Sequence, residues 1–187
     1  MITEITLTIT KINNDSNIYY LRDLNLIIDA GNNKFGEQTI SEINKVCNPK
    51  TVNIVIFTHL HYDHIGCFDI FENAKFFASK KEIESLNKDR LGTILSEEMS
   101  EQFNIKLNNV EDCKLPPNFI IINTPGHTIG GICIYDKDKK ILFSGDTLFN
   151  KGYGRYDLPN SDKESLFNSL DLLNKLDVQI LCPGHDY

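Results

Sequence analysis

The stretch "VIFTHLHYDHIG", residues 55–66, places His59, His61, Asp63 and His64 within six residues of one another. The chain has five histidines in all, and the other two, His127 and His185, each end a "PGH" triplet. Imidazole nitrogen and carboxylate oxygen are the ligands that zinc and related divalent ions take, and catalytic zinc sites keep a position open for water. In extended chain, alternate residues share a side, so His59, His61 and Asp63 would face one way and His64 another. One short segment could then serve two neighbouring ions. Asp146, in "FSGDTLF", supplies a further carboxylate able to touch both.

The elements that must position these groups are legible as apolar runs. "VNIVIF" (52–57) is continuous and β-branched, typical of a buried strand. It leads into His59. "FIIINT" (119–124) leads into His127, "KILFSG" into Asp146, and "VQILC" into His185. Four strands thus deliver candidate ligands at their C-terminal ends. If those ends share an edge the ligands converge there, where open α/β sheets place their ligands. Gly126 and Gly184 allow tight turns before the two late histidines.

Around them, strands are expected at 3–9, over "NIYYL" and over "LNLIID". A helix is expected at 37–46, a strand over "AKFFA" and a hairpin over "GICIYDKDKKILFSGD". Ser79 with Glu82, and Ser161 with Glu164, have capping-box spacing, opening helices at 80–88 and up to about residue 175. Residues 89–117 read as a lid, a helix pair or a substrate loop. Strands and helices in mixed order indicate an α/β or α+β sandwich, and 187 residues suit one domain.

Composition narrows the function. The hydrophobic content is 41%, the charged content 24% and the formal net charge −7. That balance disfavours a nucleic-acid partner. No run approaches the ~20 apolar residues that span a bilayer, and "MITEITLTITKINN" does not resemble a signal peptide. A cytoplasmic protein acting on a small molecule is expected, with a homodimer left open. The five scattered cysteines, without a C-x-x-C pair, read as reduced core thiols, Cys67 and Cys182 included.

The H-x-H-x-D-H motif, "TPGHTIGG", "SGDTLF" and "PGHD" together resemble the metallo-β-lactamase fold superfamily. The likeness runs from "NIYYL…IIDAG" to the end of the chain. It implies an αβ/βα sandwich of two mixed sheets flanked by helices, with two metals at one edge, most simply zinc; iron or manganese also suits either position. It implies that His59, His61 and His127 hold the first ion, that Asp63, His64 and His185 hold the second, and that Asp146 bridges them. "GDTLFNKGYGRYDLP" is similar to the glyoxalase II-like branch. The chain as given stops short of the C-terminal helical domain of those enzymes. The implied activity is hydrolysis of a thioester or related activated acyl compound by a metal-bound hydroxide, with Asp63 as the catalytic acid–base group.

Tyr153, Arg155 and Tyr156 are candidates for the substrate wall. Arg155 also reads as a partner of Asp157, and the tyrosines as packing aromatics. One rival is a mononuclear iron persulfide dioxygenase, in which His59, His127 and Asp146 would form the iron triad. The closing "HDY" resembles that branch, but Tyr153 stands where those enzymes carry cysteine. Phosphodiester hydrolysis and a non-enzymatic metal module are weaker readings, the first because of the charge, the second because of the open ligand set.

Overall fold

The computed structural model describes residues 1–186, apart from the Asn14 side chain; Tyr187, the last residue of "HDY", lies outside them. Seven strands form the first sheet in sequence order: β1 (Ile2–Thr6), β2 (Ile9–Asn14), β3 (Ser16–Leu21), β4 (Leu26–Ile28), β5 (Ile54–Ile56), β6 (Lys75–Ala78) and β7 (Leu107–Asn109). β1 to β4 pair antiparallel, and β4 to β7 pair parallel. The single strand expected over 3–9 is instead two strands. The chain turns at Leu7–Thr8, where Leu7 is 92% exposed and has no layer to pack against.

The second sheet contains β8 (Phe119–Asn123), β9 (Ile132–Asp136) and β10 (Ile141–Gly145). A two-strand ribbon follows, β11 (Leu148–Phe149) with β12 (Gly152–Tyr153), and then β13 (Ile180–Pro183), which returns to pair parallel with β10. Since β9 runs antiparallel to both β8 and β10, the strands β8, β10 and β13 all point the same way.

Alternation along the strands builds three apolar layers. Leu26, Ile28 and Ile56 face inward, meeting Ile132, Ile134, Ile141 and Phe143 of the second sheet. Ile27, Val55 and Phe57 face outward into a second cluster. That cluster is covered by α1 (Gly36–Val46), α3 (Lys80–Lys88), α4 (Arg90–Ile94) and α5 (Glu97–Gln102), through Ile43, Leu86, Ile94 and Met99. The outer face of the second sheet is covered by α6 (Lys163–Leu173) through Leu173. The result is the αβ/βα sandwich of two mixed sheets. Residues 89–117 resolve as a pair of short helices and an edge strand. Phe103 is buried against Phe57 and Phe68, so this segment is part of the outer layer.

Two local expectations change. α6 is capped by Asp162, which accepts from the Ser165 N–H at 2.7 Å, while Ser161 donates to the Leu158 carbonyl. Ser79 caps α3 as expected, but Glu82 does not reach back to close the box. Among the described residues no helix is long and apolar enough to cross a membrane.

Candidate metal centre

The four strand ends that carry the candidate ligands do converge, but they belong to two sheets. β5 ends in the first; β8, β10 and β13 end in the second. The centre therefore lies at the edge of the sandwich, where the tips of both sheets meet. The H-x-H-x-D-H segment is also not extended throughout. A short helix, α2 (Tyr62–Ile65), begins right after His61. Asp63 and His64 are separated by a helical turn angle, which sends them to different neighbours.

Three groups of donor atoms lie within 4.8 Å of one another: His59, His61 and His127; Asp63, His64 and His185; and His59, His64 and Asp146. The first two are the separate sets expected from the sequence, and Asp146 sits between them. Its Oδ1 is 3.2 Å from His64 Nε2, and its Oδ2 is 3.4 Å from both His127 Nε2 and His185 Nε2. Asp63 Oδ2 is 3.3 Å from His185 Nε2. Space around Asp146 is tight. A Cβ on Gly184 would stand 2.1 Å from Asp146 Oδ1, so only glycine fits before His185. Gly126, before His127, has φ +142, a conformation that side chains disfavour.

Four of the five rings are oriented from behind. His127 Nδ1 donates to the Arg155 carbonyl at 2.8 Å, and His185 Nδ1 to the Asp15 carbonyl at 2.9 Å. His64 Nδ1 lies 2.8 Å from Asp29 Oδ2. The Thr58 hydroxyl donates to that same oxygen at 2.8 Å, so it can accept from His59 Nδ1 at 3.1 Å. With Nδ1 carrying a proton in all four rings, Nε2 is the nitrogen turned to the centre, and its lone pair is free for a metal once any second proton has left. His61 differs: its Nδ1 faces His127 Nε2 at 3.0 Å.

Sequence reasoning missed Asp29. It is 2% exposed and holds both His64 and, through Thr58, His59. Its signal was present, since "LNLIID" ends an apolar strand on an aspartate just as "KILFSGD" does. Also missed were Asn17 and Tyr19 of β3. Asn17 Nδ2 and Tyr19 Oη donate to the Pro183 carbonyl at 2.9 and 2.7 Å, and the Gly184 carbonyl accepts from Asn17 N–H. They tie the His185 turn to the first sheet.

The electrostatics divide the cluster. Burial drives the histidines of the first set toward the neutral form: His59 well below its usual value, His61 to about 3, and His127 below normal. Burial also opposes charge on His64 and His185. There the carboxylates win: Asp146 and Asp29 raise His64 well above normal, and Asp146 and Asp63 raise His185 to about 9. Asp146 is held well below the carboxylate range, its burial outweighed by the facing histidines.

The donor set fits a divalent transition metal. His59 Nε2 and Asp146 Oδ1, both turned to the centre, are buried with no hydrogen-bond partner among the described residues. Such orphaned polar atoms are costly, and a cation in their midst would relieve the cost.

The other candidates lie around the rim. Arg155 is exposed and paired with Asp157 at 2.9 and 3.0 Å; its backbone carbonyl, not its guanidinium, touches the centre. Tyr153 and Tyr156 stack at 6.4 Å and meet Phe167 at 5.3 and 6.3 Å. Lys163 Nζ lies 5.4 Å above the Tyr156 ring. Cys67 is buried outside the donor groups and Cys182 lies in the inter-sheet core; all five cysteines are free thiols.

Residues 13–185 match the family model described as the metallo-beta-lactamase superfamily. A probable metallo-hydrolase of Methanocaldococcus jannaschii is 32% identical over 177 residues, covering 86% of this chain and 82% of that protein. The hydroxyacylglutathione hydrolase GloC of Haemophilus influenzae is 31% identical over 177 residues, covering 85% and 78%. Among solved structures, a protein crystallised in a di-iron-bound form shares the fold with a TM-score of 0.67. It is 21% identical, and the match covers 100% of this chain and 92% of that one. With its two mixed sheets, a buried histidine–aspartate cluster at their shared edge and a family match spanning nearly its whole length, this chain belongs to the metallo-beta-lactamase superfamily.

Proposed function

We propose that the chain is a two-metal hydrolase of thioesters or related activated acyl compounds, similar in activity to hydroxyacylglutathione hydrolases. The observation that carries the reading is the pair of separable donor sets meeting at Asp146. His59, His61 and His127 would hold one ion, Asp63, His64 and His185 the other, and Asp146 both. Zinc suits these donors; the di-iron form of a structural relative supports iron as well. When bound, such ions supply Lewis acidity and bring the pKa of a coordinated water toward neutrality.

The chain's own groups do the rest. Asp63 has 17% of its side chain exposed against 10% for Asp146, so it is the acid that meets incoming substrate and water. Burial works against its charge, but in the metal-free site the hydrogen bond from His185 and the charge of His64 hold its pKa below normal; bound ions would supply that positive charge in their place. It orients the attacking water and accepts its proton, and no serine or cysteine nucleophile is needed. Tyr153, Tyr156 and Phe167 pack on one another around the segment whose Arg155 carbonyl holds the His127 ring, and would supply an apolar wall for substrate. Arg155 acts chiefly through its carbonyl, by holding the His127 ring.

The reading is supported by the 31% identity to GloC over most of both chains. Metal quantification on protein purified without added metal, paired with a thioester and persulfide panel, tests it. Close to two ions per chain with thioester cleavage is the expected result. One iron per chain with oxygen uptake on a persulfide would overturn it in favour of a dioxygenase.

A further inference from the structure

Glu82 lies in the first turn of α3, outside every donor group, and is 1% exposed. Capping-box geometry would turn its carboxylate back to the backbone N–H of Ser79. Instead Oε1 accepts from the Leu60 N–H at 3.0 Å, and Oε2 accepts from the Thr128 hydroxyl and the Gly130 N–H, both at 3.0 Å. Leu60 stands between His59 and His61, and Thr128 follows His127. One buried carboxylate therefore joins the two loops that carry the whole first donor set.

The same turn adds a second tie, from the Ser79 hydroxyl to the Gly130 carbonyl at 2.5 Å. The approach is close: a Cβ on Gly130 would stand 2.2 Å from the Glu82 nitrogen. No cation forms an ion pair with Glu82 among the described residues. A buried, uncompensated carboxylate is an expensive way to fill space or cap a helix. Its three donors come from two loops far apart in sequence, and that gives the charge a purpose.

We propose that Glu82 is a positioning residue of the metal centre, setting the distance between the His59–His61 segment and the His127 loop and hence the metal affinity of that set. This rests on the two-metal reading above. Asp63, His64 and His185 have no hydrogen bond to Glu82, so they serve as an internal control.

Glu82→Gln tests it with little change in shape. One amide orientation points N–H₂ at the Leu60 N–H; the other points it at the Gly130 N–H. Either way a buried backbone donor faces another donor, and one loop loosens. Burial pushes the Glu82 pKa up to about 7, so measurements belong at pH 8, where the carboxylate is ionised. Zinc affinity is read by chelator competition in two backgrounds. His185→Ala leaves the first set, and His127→Ala leaves the second. Orienting groups behind metal ligands are typically worth 10–100-fold in affinity. Glu82→Gln should therefore cost about 10–100-fold in the His185→Ala background and less than about threefold in the His127→Ala background.

Thr128→Val, which removes one of the three hydrogen bonds, should show a smaller loss confined to the same background. It keeps the test available if Glu82→Gln does not fold. Equal losses in both backgrounds would mean general destabilisation and overturn the proposal, as would no loss in either. A wild-type chain that binds no zinc would instead overturn the two-metal reading itself, and the proposal with it.

Discussion

Replacing Asp29 by asparagine probes how much of the metal affinity comes from groups that never touch the metal. Asp29 has φ +59, a left-handed conformation that asparagine adopts as readily as aspartate, so the backbone should not object. The carboxylate receives three hydrogen bonds: Thr58 N–H on Oδ1, and the Thr58 hydroxyl and His64 Nδ1 on Oδ2, all at 2.8 Å. An amide cannot serve all three. With its N–H₂ at the Oδ1 position, the buried Thr58 N–H is orphaned, at a cost of about 1–3 kcal/mol to the metal-free fold. With its N–H₂ at the Oδ2 position, the Thr58 hydroxyl must turn away and His64 must accept at Nδ1. The neutral His64 ring then keeps its one proton on Nε2, the nitrogen presented to the second ion, instead of on Nδ1, and must change tautomer before a metal binds. Loss of a partner behind a histidine ligand costs roughly 10–100-fold in affinity, or about 1.4–2.7 kcal/mol. Chelator competition on Asp29→Asn, alongside urea unfolding of the metal-free protein, measures both quantities. Two ions bound at wild-type affinity, together with an unchanged urea midpoint, would refute the idea that Asp29 sets the histidine tautomers.

Asp146→Ala should abolish binding of both ions, since that carboxylate faces both donor sets; elemental analysis showing two ions retained would rule out bridging. Asp63→Asn should leave the fold intact and lower turnover by at least about a hundredfold, whereas steady-state rates equal to wild type would make Asp63 structural. The metal-free protein should be most stable near pH 6.5. His185, raised to about 9, stabilises in full below the unfolded value near 6.5, and that stability is lost as pH climbs to about 9. His61, lowered to about 3, adds no pH dependence above 6.5 but destabilises as pH falls from 6.5 toward 3. Thermal unfolding across that range should show the midpoint dropping on both sides; a rise from pH 6.5 to 9 would contradict the assignment of His185.

The candidate donor residues and the architecture that carries them were legible in the sequence. Five histidines, each following an apolar run, are few enough that their placement can be read directly. The runs are readable because a buried strand needs unbroken apolar residues on a short, local stretch. The helices at 37–46 and 80–88 and the hairpin over residues 131–146 were legible for the same reason, since their periodicity and turns are local. Packing settled everything that depends on non-local partners. The four strand tips belong to two sheets, and strand pairing is a long-range choice. Asp63 and His64 diverge because a helix starts at Tyr62, where the segment meets its neighbours, and not by alternation along an extended chain. Asp29 and Glu82 looked like a strand terminus and half of a capping box. Their carboxylates are claimed by Thr58, His64, Leu60, Thr128 and Gly130, most of them tens of residues away. A carboxylate's role is set by which donors surround it, and those donors are assembled only when the sheets and loops pack.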